Sequence, residues 1–472
     1  MRYVALAAET RAADASASAR VGEAALIARA AYGVGSVAAG LLPTVYGSRV
    51  AVLAGGGHNA ADAMLAGQHL AGRGAQVTVL RASASEGDEH WVAAARGLRM
   101  VGAEAASSVG PVDLVIDGLT GLGGRPGGLS GPAADLAGWA DAARAAGALV
   151  VAVDLPSGVA GDTGACDGVT VRADVTVTFD RLGPVHVVGE GAERCGQVVV
   201  VPVGLDFPAG SALGVLDADD VAALLSDPPP TADKYSRGVV GVVAGSERYP
   251  GAAVLCAGGA VSAGAGYVRY LAPDAGAATA AVLSRWPTVV AGEGRVDAYV
   301  CGSGLTDLDA ARRVLDSDVA AVLDAGALDL GADALRGRAA PTLITPHAVE
   351  FERLTGVDPR PDPLGAARTA ARDLGVHVLL KGQRTVIAAP DGRALVNPTG
   401  STWLSTAGTG DVLAGAAGAL LAAAVKRGDL DVLVVGAAAA FLHGLAARFA
   451  RVPLNAASLF DSWPDAVAAV RG

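Results

Sequence analysis

The chain has 472 residues, of which 52% are hydrophobic and 18% charged, with 65 glycines. That length exceeds one ordinary core, so two or three domains are expected, and the composition suits α/β layers joined by tight turns rather than disorder. A net charge of −11 excludes a general nucleic-acid binder, whose affinity comes from Lys and Arg neutralising phosphates. The first residues, with Arg2, Glu9 and Arg11, lack the apolar core of a secretory signal. Cys166, Cys195, Cys256 and Cys301 form no C-x-x-C pair, so neither a zinc site nor a disulfide framework is signalled. The apolar stretch 432–447 contains His443 and is expected to fall short of a membrane span. A cytoplasmic protein with no membrane partner is the expectation.

Apolar β-rich runs at 49–54, 75–80, 112–116, 148–153, 174–178 and 197–201 alternate with Ala-rich amphipathic stretches, the pattern of βαβ units around a parallel sheet. A short helix over 216–226 then meets Asp227-Pro-Pro-Pro230, which breaks it. The predicted organisation is a domain over 1–210, a linker over 211–234 and a domain over 235–472. The second domain alternates again, with strands at 238–245, 267–271, 298–301, 319–323, 341–344 and 376–380. A hairpin of 385–389 and 393–396 turns through Pro390-Asp-Gly392. Helices are predicted from Gly410, Asp431 and Asn455.

The chemistry concentrates at predicted strand ends and helix starts, where open α/β sheets bind ligands. Ala407-Gly-Thr-Gly-Asp411 precedes an Ala- and Leu-rich helix. Small residues there expose backbone N–H groups to an anion, and one carboxylate among those donors reads as a base for a hydroxyl that attacks a phosphate. A capped flexible loop is the alternative for that segment alone. Four more segments join it: Gly245-Ser-Glu-Arg-Tyr-Pro-Gly-Ala-Ala253, Gly302-Ser-Gly-Leu305, Thr345-Pro-His-Ala-Val-Glu350 and Lys381-Gly-Gln-Arg-Thr385.

Together these segments resemble the ribokinase-like superfamily, in its ADP- or ATP-dependent NAD(P)H-hydrate dehydratase branch. The resemblance implies that NADHX or NADPHX, hydrated at C6 of the nicotinamide ring, is phosphorylated on that hydroxyl and then loses phosphate. It assigns Asp411 as catalytic base, and Ala253, Gly304, His347 and Asp411 to the hydrated nucleotide. It also assigns Lys381, Gly382, Gln383, Arg384, Thr385 and Gly410 to ADP or ATP, and implies Mg²⁺. His347 taken singly reads as a helix cap. Val349 stands where the family usually has Gly.

In the first domain, Val50-Ala-Val-Leu-Ala-Gly-Gly-Gly-His-Asn-Ala-Ala-Asp62, Asp117-Gly-Leu-Thr-Gly-Leu-Gly-Gly124 and Asp154-Leu-Pro-Ser157-Gly158 resemble the NAD(P)H-hydrate epimerase domain, over residues 1–205. The resemblance implies that Asn59, Asp117 and Ser157 hold K⁺, that Asp154 is the acid/base at C6, and that the 121–127 loop wraps phosphates. Two departures bear on activity. Ala60 and Ala61 replace two family glycines, and Gly183 stands in Leu182-Gly-Pro-Val-His186 where relatives carry Lys. An active epimerase and a scaffold that only packs both stay open on these residues.

The expected fold class is therefore two three-layer α/β domains, a Rossmann-like epimerase fold followed by a ribokinase-like fold. The expected partners are NAD(P)HX and ADP, with a homo-oligomer implied by the resemblance. The competing reading is a vitamin or sugar kinase of the same fold carrying a non-catalytic N-terminal binding module.

Overall fold

The computed structural model describes residues 1–82, 95, 97–123, 127–208, 210–225, 227–272 and 276–472. They divide into two compact units, Tyr3–Ser211 and Met1–Arg2 with Ala212–Gly472. Strands are numbered in chain order, beginning with the two-residue β1 (Arg2–Tyr3).

The first unit is built on a seven-stranded sheet: β2 (Arg49–Ala54), β3 (Gln76–Arg81), β4 (Arg99–Gly102), β5 (Leu114–Gly118), β6 (Leu149–Val153), β7 (Val175–Phe179) and β8 (Gln197–Val201). The order is β4-β3-β2-β5-β6-β7-β8, and every pairing is parallel. Successive side chains of a strand face opposite sides, and the two cores show it. Val50, Val52 and Ala54 join one cluster with Ile27, Val34 and Met64, from helices Glu23–Leu41 and His58–Ala71. Ala51 and Leu53 join the other with Leu136 and Ala140, from helix Gly131–Ala145.

The second unit holds an eleven-stranded sheet of order β1-β9-β18-β17-β16-β15-β14-β13-β10-β11-β12. Its strands are β9 (Leu213–Val215), β10 (Val239–Val243), β11 (Tyr267–Tyr270), β12 (Val290–Ala291), β13 (Ala298–Cys301), β14 (Ala320–Leu323), β15 (Thr342–Ile344), β16 (His377–Leu380), β17 (Val386–Ala388) and β18 (Ala394–Val396). The series from β16 to β12 is parallel, while β16-β17-β18 pair antiparallel as the predicted hairpin requires. One face packs Val240, Val300, Val322, Leu343 and Leu379 against helices Pro250–Ser262, Thr409–Arg427, Val432–Phe449 and Ser458–Arg471. The chain leaves β10 toward β11 on one side and returns to β13 on the other, so the carboxyl ends of β10 and β13 open a crevice at a switch point.

Two expectations differ from the structure. The stretch read as linker contributes β9, which pairs parallel with β18, and helix Ala218–Leu224, which Asp217 caps by accepting from Asp220 N at 3.0 Å. Strand β9 is three residues long and only its partner defines it, so the preceding loop and the Pro run masked it. The membrane expectation also needs correction. Helices Glu23–Leu41, Thr409–Arg427 and Val432–Phe449 are each long and apolar enough to cross a membrane by length and composition. For the last two, tertiary packing accounts for the apolarity, since 72% and 78% of their most apolar windows are buried. Cys195, Cys256 and Cys301 are buried and Cys166 half-buried, all as free thiols.

Gly302, just past β13, has φ +129°, and a Cβ there would stand 1.7 Å from the Asp324 carbonyl oxygen. Gly302→Ala should therefore destabilise the second unit by more than about 1 kcal/mol, read as a lower midpoint of its transition in chemical denaturation.

Candidate active sites

In the second unit, helix Thr409–Arg427 starts at Gly408, which has φ +89° and offers no side-chain cap. A Cβ on Gly408 would also stand 2.4 Å from Leu255 Cδ1. Thr409 Oγ1 donates to the Leu404 and Thr406 carbonyls at 2.7 and 3.0 Å, which closes the loop and leaves first-turn N–H groups for a ligand. These residues border a cavity of about 460 Å³ whose lining includes His347, Lys381, Gly382, Gln383, Thr385, Thr409 and Gly410. Arg384 points its guanidinium to the Pro398 carbonyl at 3.4 Å.

The turn 381–385 is locked by Thr385, whose Oγ1 donates to the Gly382 carbonyl at 2.9 Å. Lys381 is aligned with His347 in a parallel bridge, and a Cβ on Gly410 would come within 3.4 Å of its Nζ. The ammonium pairs with Asp324 Oδ1 at 2.8 Å and faces Glu350 Oε2 at 3.6 Å. Burial alone would lower its pKa, but Asp324, Glu350 and Asp411 outweigh that and hold it raised.

Asp411 is the opposite case. Burial first, then the neighbouring Asp324 and Glu350 charges, push its carboxyl up to about 6, against the lowering effects of the Ser303 hydroxyl and Lys381. Asp324 and Glu350 were not singled out from sequence. Asp324 follows β14 directly and accepts from Thr345 Oγ1 at 2.8 Å and Ser303 Oγ at 3.3 Å. Glu350 was visible in the Thr345–Glu350 motif without a role.

His347 does both things weighed for it. Its Nδ1 accepts from Glu350 N at 3.2 Å while Glu350 Oε2 accepts from His347 N at 2.8 Å, a reciprocal capping box. The same ring, half-exposed, lines the cavity. Ala253 is fully buried; a Cβ on Gly245 would touch its Cβ at 2.6 Å, and one on Gly304 would meet Ala252 Cβ at 2.6 Å. Neither Ala253 nor Gly304 is among the residues lining the cavity of about 460 Å³.

In the first unit, Asn59 and Ser157 meet at the Thr120 backbone, and Asp117 joins them through Ser157. Asn59 Nδ2 donates to the Thr120 and Val153 carbonyls at 3.1 and 2.8 Å. Ser157 Oγ donates to Asp117 Oδ1 at 2.7 Å and accepts from Thr120 N at 2.8 Å. Asp117 is completely buried, and burial raises its carboxyl to about 6 despite bonds from Ser157 and Leu119. A buried carboxylate held only by neutral donors, beside amide and hydroxyl oxygens, fits a hard monovalent cation.

Asp154 follows β6 with φ +64°, a conformation a non-glycine residue keeps only when its surroundings enforce it. His186, unassigned from sequence, does so. Its Nδ1 accepts from Gly183 N at 2.7 Å, so its Nε2–H donates to the Asp154 carbonyl at 2.7 Å. Burial holds the ring neutral, with a pKa lowered to about 4. Asp154 itself is raised to about 6 by burial, offset by Thr178 Oγ1 donating at 3.1 Å and reinforced by Asp14. Asp62, also missed, is buried with Oδ1 unpartnered, and burial followed by Asp154 and Asp14 raises it well above the usual carboxylate range. Asp14, Asp62, Asp154 and Arg11 line a cavity of about 910 Å³ with Gly121–Gly123; residues 124–126 of the 121–127 loop lie outside the described residues.

A family model described as NAD(P)H-hydrate dehydratase matches residues 240–458, and one described as YjeF-related protein N-terminus matches residues 23–184. The bifunctional NAD(P)H-hydrate repair enzyme Nnr of Mycobacterium tuberculosis is 44% identical over 438 residues, covering 89% of this chain and 89% of its own. The chain belongs to the bifunctional NAD(P)H-hydrate repair enzymes. The Mycobacterium leprae member is 43% identical over 448 residues, with 91% of each chain covered. An ADP/ATP-dependent NAD(P)H-hydrate dehydratase from Bacillus subtilis, crystallised with ATP and Mg²⁺, superposes with a TM-score of 0.50 at 29% identity, over 54% of this chain and 98% of that one. In this repair enzyme Ala60 and Ala61 are buried inside helix His58–Ala71. Gly183 has φ −96°, and a Cβ there would meet nothing closer than His186 Nδ1 at 3.6 Å. Its backbone does not demand glycine, and the position has room for a side chain.

The charge cluster predicts opposite movements of one group. In Lys381→Met, carboxyl-carbon NMR should show Asp411 titrating higher than in the parent, because a lowering influence is gone; in Asp324→Asn it should titrate lower. Lys381→Met should also cost about 3–5 kcal/mol by leaving buried carboxylates without their cation.

Proposed function

We propose that the second unit dehydrates S-NAD(P)HX to NAD(P)H at the expense of a nucleotide, ADP or ATP. The observation that carries this is Asp411, a carboxyl raised to about 6 in the first turn of helix Thr409–Arg427, next in the chain to Gly410, which lines the cavity together with Lys381. Asp411 takes the proton from the C6 hydroxyl as that oxygen attacks the terminal phosphoryl group. With ADP the leaving group is AMP. The C6–O bond of the phosphate ester then breaks as the ring-nitrogen lone pair moves in, and loss of a C5 proton restores the dihydropyridine and frees phosphate. The first-turn amides around Gly410 hold the transferring group, and residues 381–385 hold the phosphates and ribose.

Mg²⁺ supplies charge neutralisation on the phosphates when bound. Among the described residues no group of three His, Cys, Asp or Glu side chains is arranged to hold a metal, and Lys381 already engages Asp324 and Glu350. When bound with the nucleotide, the ion would draw most of its oxygens from the phosphates, as Mg²⁺ favours.

We further propose that the first unit interconverts R- and S-NAD(P)HX, with Asp154 moving the proton and K⁺ held by Asn59, Asp117 and Ser157. The cytoplasmic location and the homo-oligomer expected from sequence belong to the same reading and rest on family membership.

Purified protein given S-NADHX, ADP and Mg²⁺ should regain dihydropyridine absorbance, while a stable phosphorylated product seen by mass spectrometry would favour a small-molecule kinase instead. Asp411→Asn should lower the rate by about 10²–10⁴ and keep ADP binding. Since the base works ionised and its pKa is raised to about 6, kcat/KM should hold above that pH and drop about tenfold per unit below it. For the first unit, Gly183→Lys should fold and accelerate loss of R-NADHX; equal rates in parent and variant would show that this lysine is dispensable here.

A further inference from the structure

His58 opens helix His58–Ala71, and the chemistry above gives it no task. Its Nε2 stands 2.6 Å from Oε1 of Glu23, the first residue of helix Glu23–Leu41. Two lone pairs cannot approach that closely, so Nε2 carries a proton and the carboxylate orients the ring. Both side chains are half-exposed, at 55% and 51%. A pair that open to water contributes little to stability.

The backbone places this ring opposite Asp154. His58 and Asp154 line the same cavity of about 910 Å³. Asn59, the next residue after His58, donates through Nδ2 to the carbonyl of Val153, the residue before Asp154, at 2.8 Å. Strand β2 leads into helix His58–Ala71, β6 leads into Asp154, and β5 lies between them in the sheet. Two strand spacings are about 10 Å. A planar ring with one contact on each face takes about 7 Å.

Inverting a carbinol carbon needs two proton-carrying groups. The C6 hydroxyl leaves as water when an acid protonates it and the N1 lone pair forms an N1=C6 double bond, and water adding from the opposite face must give a proton to a base. Arg11 and His58 are the lining residues able to carry positive charge, and Gly183 brings none. A guanidinium does not give up its proton. Asp62 is 6% exposed, nearly closed to the solvent that must recharge a proton carrier after each turnover. An imidazole carries protons at physiological pH, and this one is open to water.

We propose that His58 is the second catalytic residue of the first unit, the proton carrier on one face of the hydrated nicotinamide ring with Asp154 on the other, and that Glu23 is its positioning residue. In one direction the imidazolium gives its proton to the departing hydroxyl, water leaves, and Asp154 takes a proton from the water that adds to C6; in the other direction the two exchange roles. Solvent resets both groups. This rests on the reading of the first unit as an epimerase.

The full chain is incubated with R-NADHX and K⁺ without any nucleotide, and the appearance of S-NADHX is followed by reversed-phase chromatography against a protein-free sample. His58→Ala should lower kcat about 10²-fold with KM little changed, and added imidazole should restore part of the rate. Glu23→Gln should show a smaller loss that imidazole does not repair, since the ring is still in place. Conversion by His58→Ala at the parent's rate overturns the proposal, and so does a loss that imidazole leaves untouched, the mark of a binding or packing role. Should His58→Ala destabilise the first unit, His58→Gln decides, because it keeps a hydrogen-bonding side chain that cannot carry a proton: a loss like that expected for Ala supports the proposal, and the parent's rate overturns it. A parent that makes no S-NADHX beyond the protein-free sample refutes the epimerase reading itself and takes this inference with it.

Discussion

One ammonium among three carboxylates organises the second unit. Lys381 is the cation shared by Asp324, Glu350 and Asp411, so the cluster carries a surplus of negative charge beside the start of helix Thr409–Arg427. A helix N-terminus supplies only about half a positive charge, which cannot balance two surplus negatives and an incoming polyphosphate. The imbalance has two consequences. Added to burial, which is the larger cause, it raises Asp411 to about 6, and an incoming polyphosphate would have to bring a counter-ion with it.

The first unit faces the same problem without a lysine. Asp14, Asp62 and Asp154 share its cavity, and Arg11 is the fixed cation among the lining residues. Desolvation and mutual repulsion raise Asp62 and Asp154, so protonation relieves the strain that Lys381 relieves by pairing in the other unit. His186 is a positioning residue here, since its Nε2–H fixes the Asp154 carbonyl and with it the left-handed backbone at Asp154. Both units therefore place a carboxyl near 6 at a strand or helix end of a parallel sheet. They reach that value through different neighbours.

Much of the architecture was legible because it is local. The alternation of apolar runs marked β2, β3, β5–β8, β10, β11 and β13–β18, and Asp431 announced a helix start that it does cap, accepting from Leu433 N at 3.0 Å; Asn455 instead accepts from Ala457 N at 3.0 Å in the turn ahead of helix Ser458–Arg471. Strands β1, β4, β9 and β12 were missed, being two to four residues long and defined by a partner rather than by their own pattern. Helix Val432–Phe449 was underestimated as a span for a related reason: its apolar face serves the interior, and no linear rule distinguishes that interior from lipid.

The same division holds for the sites. Sequence alone determined the loop chemistry, because glycine runs, Thr409-Gly-Asp411 and the 381–385 turn act through backbone geometry set by adjacent residues. Only the tertiary structure decided which charges meet. Asp324 reaches Lys381 across 57 residues, Asp117 meets Ser157 across 40, and His443 lines a cavity from a helix whose composition spoke only of burial. A pKa or a tautomer depends on the few ångströms around one group, and those ångströms are filled by residues that the sequence keeps far apart.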